Sequence, residues 1–132
     1  MRVLIADDHE VVRRGLKAIL TDAFPGMLVF EVCNGDEALT YMAETSFDLL
    51  LFDIDMHPHR GLSVLRDVKQ IYPEVPVIIV SMQQEEQYAQ RCIWVGAAAY
   101  VKKDHASEEL AEAVTRVLGM RMVLTTFDSM SE

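Results

Sequence analysis

Five short apolar runs, each followed by a stretch of different periodicity, constrain this chain more than any other feature. They occupy residues 3–6, 27–33, 49–52, 77–80 and 98–101. The strongest of them are continuously apolar, without polar alternation. That is the pattern of strands covered on both faces, as in a parallel sheet. Helical spacing fills the gaps. From Val12 the apolar positions Leu16, Ile19, Leu20 and Ala23 share a face, until Pro25-Gly26 breaks the pattern. Asn34 is placed to cap a helix whose inner face is Ala38, Leu39 and Met42. A third helix is predicted over about 62–72 and stopped by Pro73. A fourth is predicted over about 85–95 and closed by Gly96. In the last helix Leu110, Ala113, Val114, Val117 and Leu118 line one side, and Gly119 is expected to stop it. Five strands and five helices in strict alternation predict an α/β doubly wound parallel sheet with helices on both faces.

At 132 residues the chain is expected to form one domain over 1–119, followed by a tail, 120–132, without periodicity of its own. Its net charge of −9 repels phosphate backbones, so this domain alone is expected to bind neither nucleic acid nor anionic membrane. No apolar run approaches a membrane span, and the first is too short for a secretory signal. Cys33 and Cys92 lack metal-ligand spacing. They suit a reducing compartment and read as small buried hydrophobes. The expected location is the cytoplasm.

Polar residues interrupt the apolar runs at their carboxyl ends: Asp7 and Asp8 after the first, Asp53 after the third, Ser81 after the fourth, and Lys103 after the fifth. Open doubly wound sheets bind ligands at that edge. Three carboxylates gathered there repel one another, and a hard divalent cation relieves the repulsion. Carboxylate and water oxygens suit Mg²⁺. A carboxylate beside such an ion can act as a nucleophile and form an acyl phosphate. A lysine and a hydroxyl can hold phosphoryl oxygens as charge develops. Singly, each Asp could be a solvated strand-end cap and Ser81 a turn residue. Their joint register is what points to chemistry.

The motifs Leu4-Ile5-Ala6-Asp7-Asp8-His9, Asp48-Leu49-Leu50-Leu51-Phe52-Asp53, Val77-Ile78-Ile79-Val80-Ser81 and Gly96-Ala97-Ala98-Ala99-Tyr100-Val101-Lys102-Lys103-Asp104 occur in that order. With them the chain resembles the receiver domain of bacterial two-component response regulators of the LuxR type (NarL-FixJ subfamily), over roughly residues 2–118. The resemblance implies a flavodoxin-like (CheY-like) sheet of order 2-1-3-4-5 with five helices. It implies that Asp53 is the phosphoacceptor, that Asp7 and Asp8 are the acidic pair for Mg²⁺, and that Asp55 lends the metal a backbone carbonyl. It implies that Ser81 is the switch hydroxyl, Tyr100 the aromatic rotamer switch, and Lys103 rather than Lys102 the family lysine. A sensor histidine kinase would donate the phosphoryl group, the receiver itself catalysing the transfer. A phosphorylation-dependent homodimer would follow, through the first and last helices or through the fourth helix, fifth strand and last helix. The chain departs from the pattern at His57, which stands where a proline is usual, Pro58 coming one later. It departs again at Met82, where small residues are common, and at Ala99, which replaces a common glycine.

Other readings compete. Asp53-Ile54-Asp55 matches the nucleophile and acid pair of haloacid-dehalogenase-like phosphohydrolases, although those enzymes place it early in a longer chain. A pseudo-receiver acting only as a scaffold is the third possibility, and the intact acidic pair, acceptor and lysine oppose it. The run from Asp53 to His59 also carries imidazole and carboxylate at alternate positions, as a Zn²⁺ or Ni²⁺ site would. A polar loop with two exposed histidines is the simpler reading. His9 and His105 read as surface residues, and the methionines on apolar faces as core fillers. LuxR-type regulators carry a helix-turn-helix domain after the receiver. The segment Met120-Arg121-Met122-Val123-Leu124 resembles the start of a linker, so the expectation is a truncated transcription regulator rather than a single-domain member.

Overall fold

In a computed structural model, described over residues 1–57 and 60–130 with side chains through Gly119, the strands are β1 (Arg2–Ala6), β2 (Leu28–Val32), β3 (Leu49–Asp53), β4 (Val77–Ser81) and β5 (Ala99–Lys102). The helices are α1 (Glu10–Ala23), α2 (Gly35–Glu44), α3 (Gly61–Ile71), α4 (Glu86–Val95) and α5 (Ala106–Met130). All neighbouring strands are parallel, in the order β2-β1-β3-β4-β5. The expected topology is therefore the observed one.

The sheet separates two apolar layers because successive side chains of a strand point to opposite faces. On one side Val3, Ile5, Leu49, Leu51, Ile78 and Val80 pack with Leu16 and Leu20 of α1 and Leu110 and Val114 of α5. On the other, Leu4, Leu50, Phe52 and Ile79 pack with Ala38 of α2, Val64, Leu65 and Val68 of α3, and Cys92 of α4. Burial on both faces accounts for the missing polar alternation in β1, β3 and β4.

Local signals set most boundaries. The Asn34 side chain accepts a hydrogen bond from the Glu37 backbone N–H at 2.8 Å, and the Glu37 carboxylate accepts one from the Cys33 N–H at 2.8 Å. This reciprocal capping starts α2. It also leaves Cys33 exposed at the head of the helix, against the expectation of burial. Only Cys92 is buried. Gly96, at φ 131°, closes α4, and its N–H reaches the Cys92 and Ile93 carbonyls.

The last helix departs from expectation. It runs to Met130 through Gly119, which lacks the left-handed conformation of a helix-ending glycine. An interior glycine costs a helix about 1 kcal/mol relative to alanine but does not oblige it to stop. Methionines divide likewise: Met27 and Met42 fill the core, whereas Met82 is 57% exposed.

Candidate functional site

Parallel pairing brings the strand ends to one edge. Ala6 is level with Phe52, Asp53 with Val80, and Ser81 with Lys102. The next residues of β1 and β5, Asp7 and Lys103, therefore meet Asp53 and Ser81 there. Asp7, Asp53 and Ser81 are the buried polar residues of the described chain, at 0%, 1% and 0% exposure.

The Lys103 ammonium lies 3.0 Å from Asp53 Oδ2, 3.7 Å from Asp55 Oδ2 and 3.9 Å from Asp7 Oδ2. Lys103 is the lysine whose ammonium reaches these carboxylates. Asp7 Oδ1 accepts the His9 backbone N–H at 2.8 Å, and Asp53 Oδ1 accepts that of Asp55 at 3.0 Å. Their second oxygens, Asp7 Oδ2 and Asp53 Oδ2, are buried with no hydrogen-bond partner. Lys103 stands at ion-pair distance from both, but outside hydrogen-bond geometry.

Burial raises the Asp53 pKa, the Lys103 interaction lowers it, and the charge of Asp7 raises it again. The balance leaves it at about 6. Burial works against the charge on Lys103. Its close approach to Asp53 and the field of Asp53, Asp7 and Asp55 outweigh that, and its pKa stands above the usual value.

Asp8 is half exposed at the rim, where His9 Nδ1 lies 2.9 Å from its Oδ1. One ligand atom from each of Asp7, Asp8, His9 and Asp53 falls within 4.8 Å of all the others. Oxygen donors with two unpartnered buried lone-pair positions fit a hard divalent cation such as Mg²⁺. His9 is a surface residue, as expected, yet it borders this cluster.

Three features escaped the sequence. The Asp55 carboxylate accepts from Ser81 Oγ at 2.8 Å and from the Met82 N–H at 2.7 Å, a side-chain role beyond the backbone one expected of it. Arg13 fastens the first loop by donating to the Asp7 carbonyl at 2.7 Å and to Glu31 at 3.2 Å. His57 is not an exposed loop residue. It is half-buried, its ring stacks on Phe52 at 6.2 Å, and its Nε2 accepts the Gly35 N–H at 3.2 Å. Burial, and then Arg60, hold its pKa below the usual value, which favours the neutral imidazole that can accept that bond. Pro58 and His59 lie outside the described residues.

The family model for the response regulator receiver domain matches residues 3–115. The chain belongs to that family. A receiver domain is a phosphorylation-activated switch, not an enzyme in the usual sense. Receiver domains bind Mg²⁺ at an acidic pocket, and this chain carries a cluster of aspartates at the corresponding edge. The receiver is 32% identical over 124 residues to the Glycerol metabolism activator of Pseudomonas putida, a match covering 93% of this chain and 56% of that one. It is 33% identical over 118 residues to the Oxygen regulatory protein NreC of Staphylococcus haemolyticus, covering 89% and 54%. A LuxR family DNA-binding response regulator from Silicibacter pomeroyi superposes with a TM-score of 0.80 at 29% identity, covering 90% of this chain and 92% of that one. The chain thus spans about half the length of the curated relatives it matches. Among the described residues no helix is long and apolar enough to cross a membrane.

Tyr100 of the receiver is half-buried. Its hydroxyl donates to the Gln83 carbonyl at 2.9 Å, and its ring meets Tyr88 of α4 edge-on at 6.4 Å. The Gln83 N–H donates to Ser81 Oγ at 3.0 Å. Hydrogen bonds therefore run from Asp55 through Ser81 and Gln83 to Tyr100, from the buried edge to the surface beside α4.

Proposed function

We propose that Asp53 is the phosphoacceptor of this receiver, and that Asp7, Asp8, Asp53 and the Asp55 backbone carbonyl hold Mg²⁺. The observation that carries the reading is the buried Asp53 carboxylate, one oxygen of which has no hydrogen-bond partner although Lys103 stands 3.0 Å away. That oxygen has a lone pair free to attack phosphorus. With a pKa of about 6, Asp53 is mostly ionised at neutral pH and more basic than an ordinary carboxylate. In the transfer, Asp53 forms a P–O bond as the P–N bond to a kinase phosphohistidine breaks, and the departing imidazole takes up a proton. Mg²⁺, when bound, neutralises charge on the phosphoryl oxygens. Lys103 and Ser81 are positioned to hold those oxygens by ion pair and hydrogen bond. Lys103, Ser81 and Asp53 thus catalyse only the domain's own phosphorylation and dephosphorylation.

Phosphorylation would draw Ser81 toward the new anion and release Tyr100, altering the surface of α4 and β5. The relatives' names support reading this as the regulatory domain of a cytoplasmic DNA-binding transcription regulator, with DNA bound through another domain and the phosphorylated form dimeric. The net charge of −9 agrees with DNA binding residing elsewhere. Acetyl phosphate with Mg²⁺ tests the reading. Intact mass should show one phosphoryl group on the parent and none on Asp53→Ala. Equal labelling of the two would overturn the assignment.

A further inference from the structure

Three donors converge where β4 and β5 end: Ser81 Oγ, the Met82 backbone N–H and the Lys103 ammonium. A hydroxyl, a backbone amide and an ammonium around one point form an anion site. The site already holds an anion belonging to the chain. Asp55 accepts from Ser81 Oγ through Oδ1 at 2.8 Å and from the Met82 N–H through Oδ2 at 2.7 Å, and its Oδ2 lies 3.7 Å from Lys103 Nζ. Asp55 is anchored two residues beyond Asp53 in the 3-10 turn Ile54–Met56, so its carboxylate stays at high effective concentration.

We infer that the Asp55 carboxylate is an internal competitor for the phosphoryl-oxygen donors, which must let it go before they can hold a phosphoryl group on Asp53. This rests on Asp53 being the acceptor. Its physical basis is that one set of donors cannot fully satisfy two anions. Like charge adds to the effect, because a phosphoryl group on Asp53 brings about two negative charges beside a carboxylate already there. Ser81 is also the first link of the chain of bonds through Gln83 to Tyr100. While Asp55 holds it, that chain stays in the arrangement seen here. Release of Asp55 and rearrangement of Tyr100 are then one event. Asp55 is thus a positioning residue that sets the resting state and opposes phosphorylation.

The test is beryllofluoride, which stands in for the phosphoryl group without covalent chemistry, titrated at saturating Mg²⁺ onto the parent, Asp55→Asn and Asp55→Ala. Saturation is set for each protein from its own Mg²⁺ titration, so that a change in metal affinity cannot pass for competition. Binding is read by calorimetry. Asp55→Ala removes the competing acceptors and should bind beryllofluoride about tenfold more tightly. Asp55→Asn keeps the shape without the charge and should fall between it and the parent. Amide exchange at Ser81 to Gln83 in the ligand-free state should rise in Asp55→Ala, which loses the bonds to Ser81 and Met82. Beryllofluoride affinity unchanged or weakened in both variants, with exchange confirming that both are folded, would overturn the inference. An Asp53→Ala control keeps the two readings apart. If that variant binds beryllofluoride as the parent does, the acceptor assignment fails, whatever Asp55 does.

Discussion

Asp53→Asn is expected to stabilise the metal-free receiver. The Asp53 carboxyl is 1% exposed, and burial, with Asp7 beside it, holds its pKa at about 6, against 3.8 for an ordinary aspartate. Because the folded-state pKa is raised, the native protein binds more protons than the unfolded chain between about pH 4 and 6. Stability therefore falls as pH rises through that window, and the full cost is present above it. The shift corresponds to about 3 kcal/mol at neutral pH. Asparagine carries no charge, and its amide group can donate toward the unpartnered Asp7 Oδ2. For a domain of this size the gain corresponds to a rise in Tm on the order of 10 °C. Urea unfolding of parent and variant at pH 7.5 without divalent metal measures it. The gap should narrow as pH falls from about 6 to about 4 and close below about pH 4, where Asp53 becomes protonated in both folded and unfolded parent. It should also narrow with Mg²⁺, since an ion held at about a hundred times its Kd stabilises the native state by about 2.7 kcal/mol and the variant has lost one ligand. A variant no more stable than the parent at pH 7.5, or a gap independent of both pH and Mg²⁺, would refute the reasoning.

Asp8→Asn should weaken Mg²⁺ binding, measured by calorimetric titration, because it removes one charge from the cluster of Asp7, Asp8 and Asp53. Gly61→Ala should destabilise the fold by about 2 kcal/mol in chemical denaturation, because its Cβ would meet the Ile54 side chain and come within 2.8 Å of the Ile54 carbonyl. Beryllofluoride with Mg²⁺ should change amide exchange across Ser81 to Lys103. Sedimentation of the same samples should show a dimer if this domain alone carries the interface; unchanged exchange with Asp53 demonstrably occupied would argue against the switch.

Much of the fold was legible in the sequence because two-sided burial leaves a direct trace. Leu49-Leu50-Leu51-Phe52 has no polar position because each face of β3 meets a helical layer. The helix faces and the Asn34 cap are equally local signals. Asp7, Asp53, Ser81 and Lys103 were legible because each breaks an apolar pattern at the point where its strand ends. Parallel pairing then needs only to align those ends.

What the tertiary structure decided depends on contacts between segments distant in sequence. Asp55 and Ser81 are 26 residues apart, and no periodicity indicates that the carboxylate of one satisfies the hydroxyl of the other. His57 looks like an exposed substitute for a loop proline, until Phe52 below it and the Gly35 N–H 22 residues away give its ring a packed, hydrogen-bonded place. Cys33 looked apolar enough to bury, but its neighbours cap a helix and hold it at the surface. Gly119 looked like a helix stop, yet a glycine ends a helix only where the chain turns into the left-handed region, and here it does not. Local order and residue chemistry determined the sheet and the location of its polar edge. Only the packed chain determined which side chains partner one another at that edge, because a buried donor or acceptor takes whichever partner the fold brings within reach.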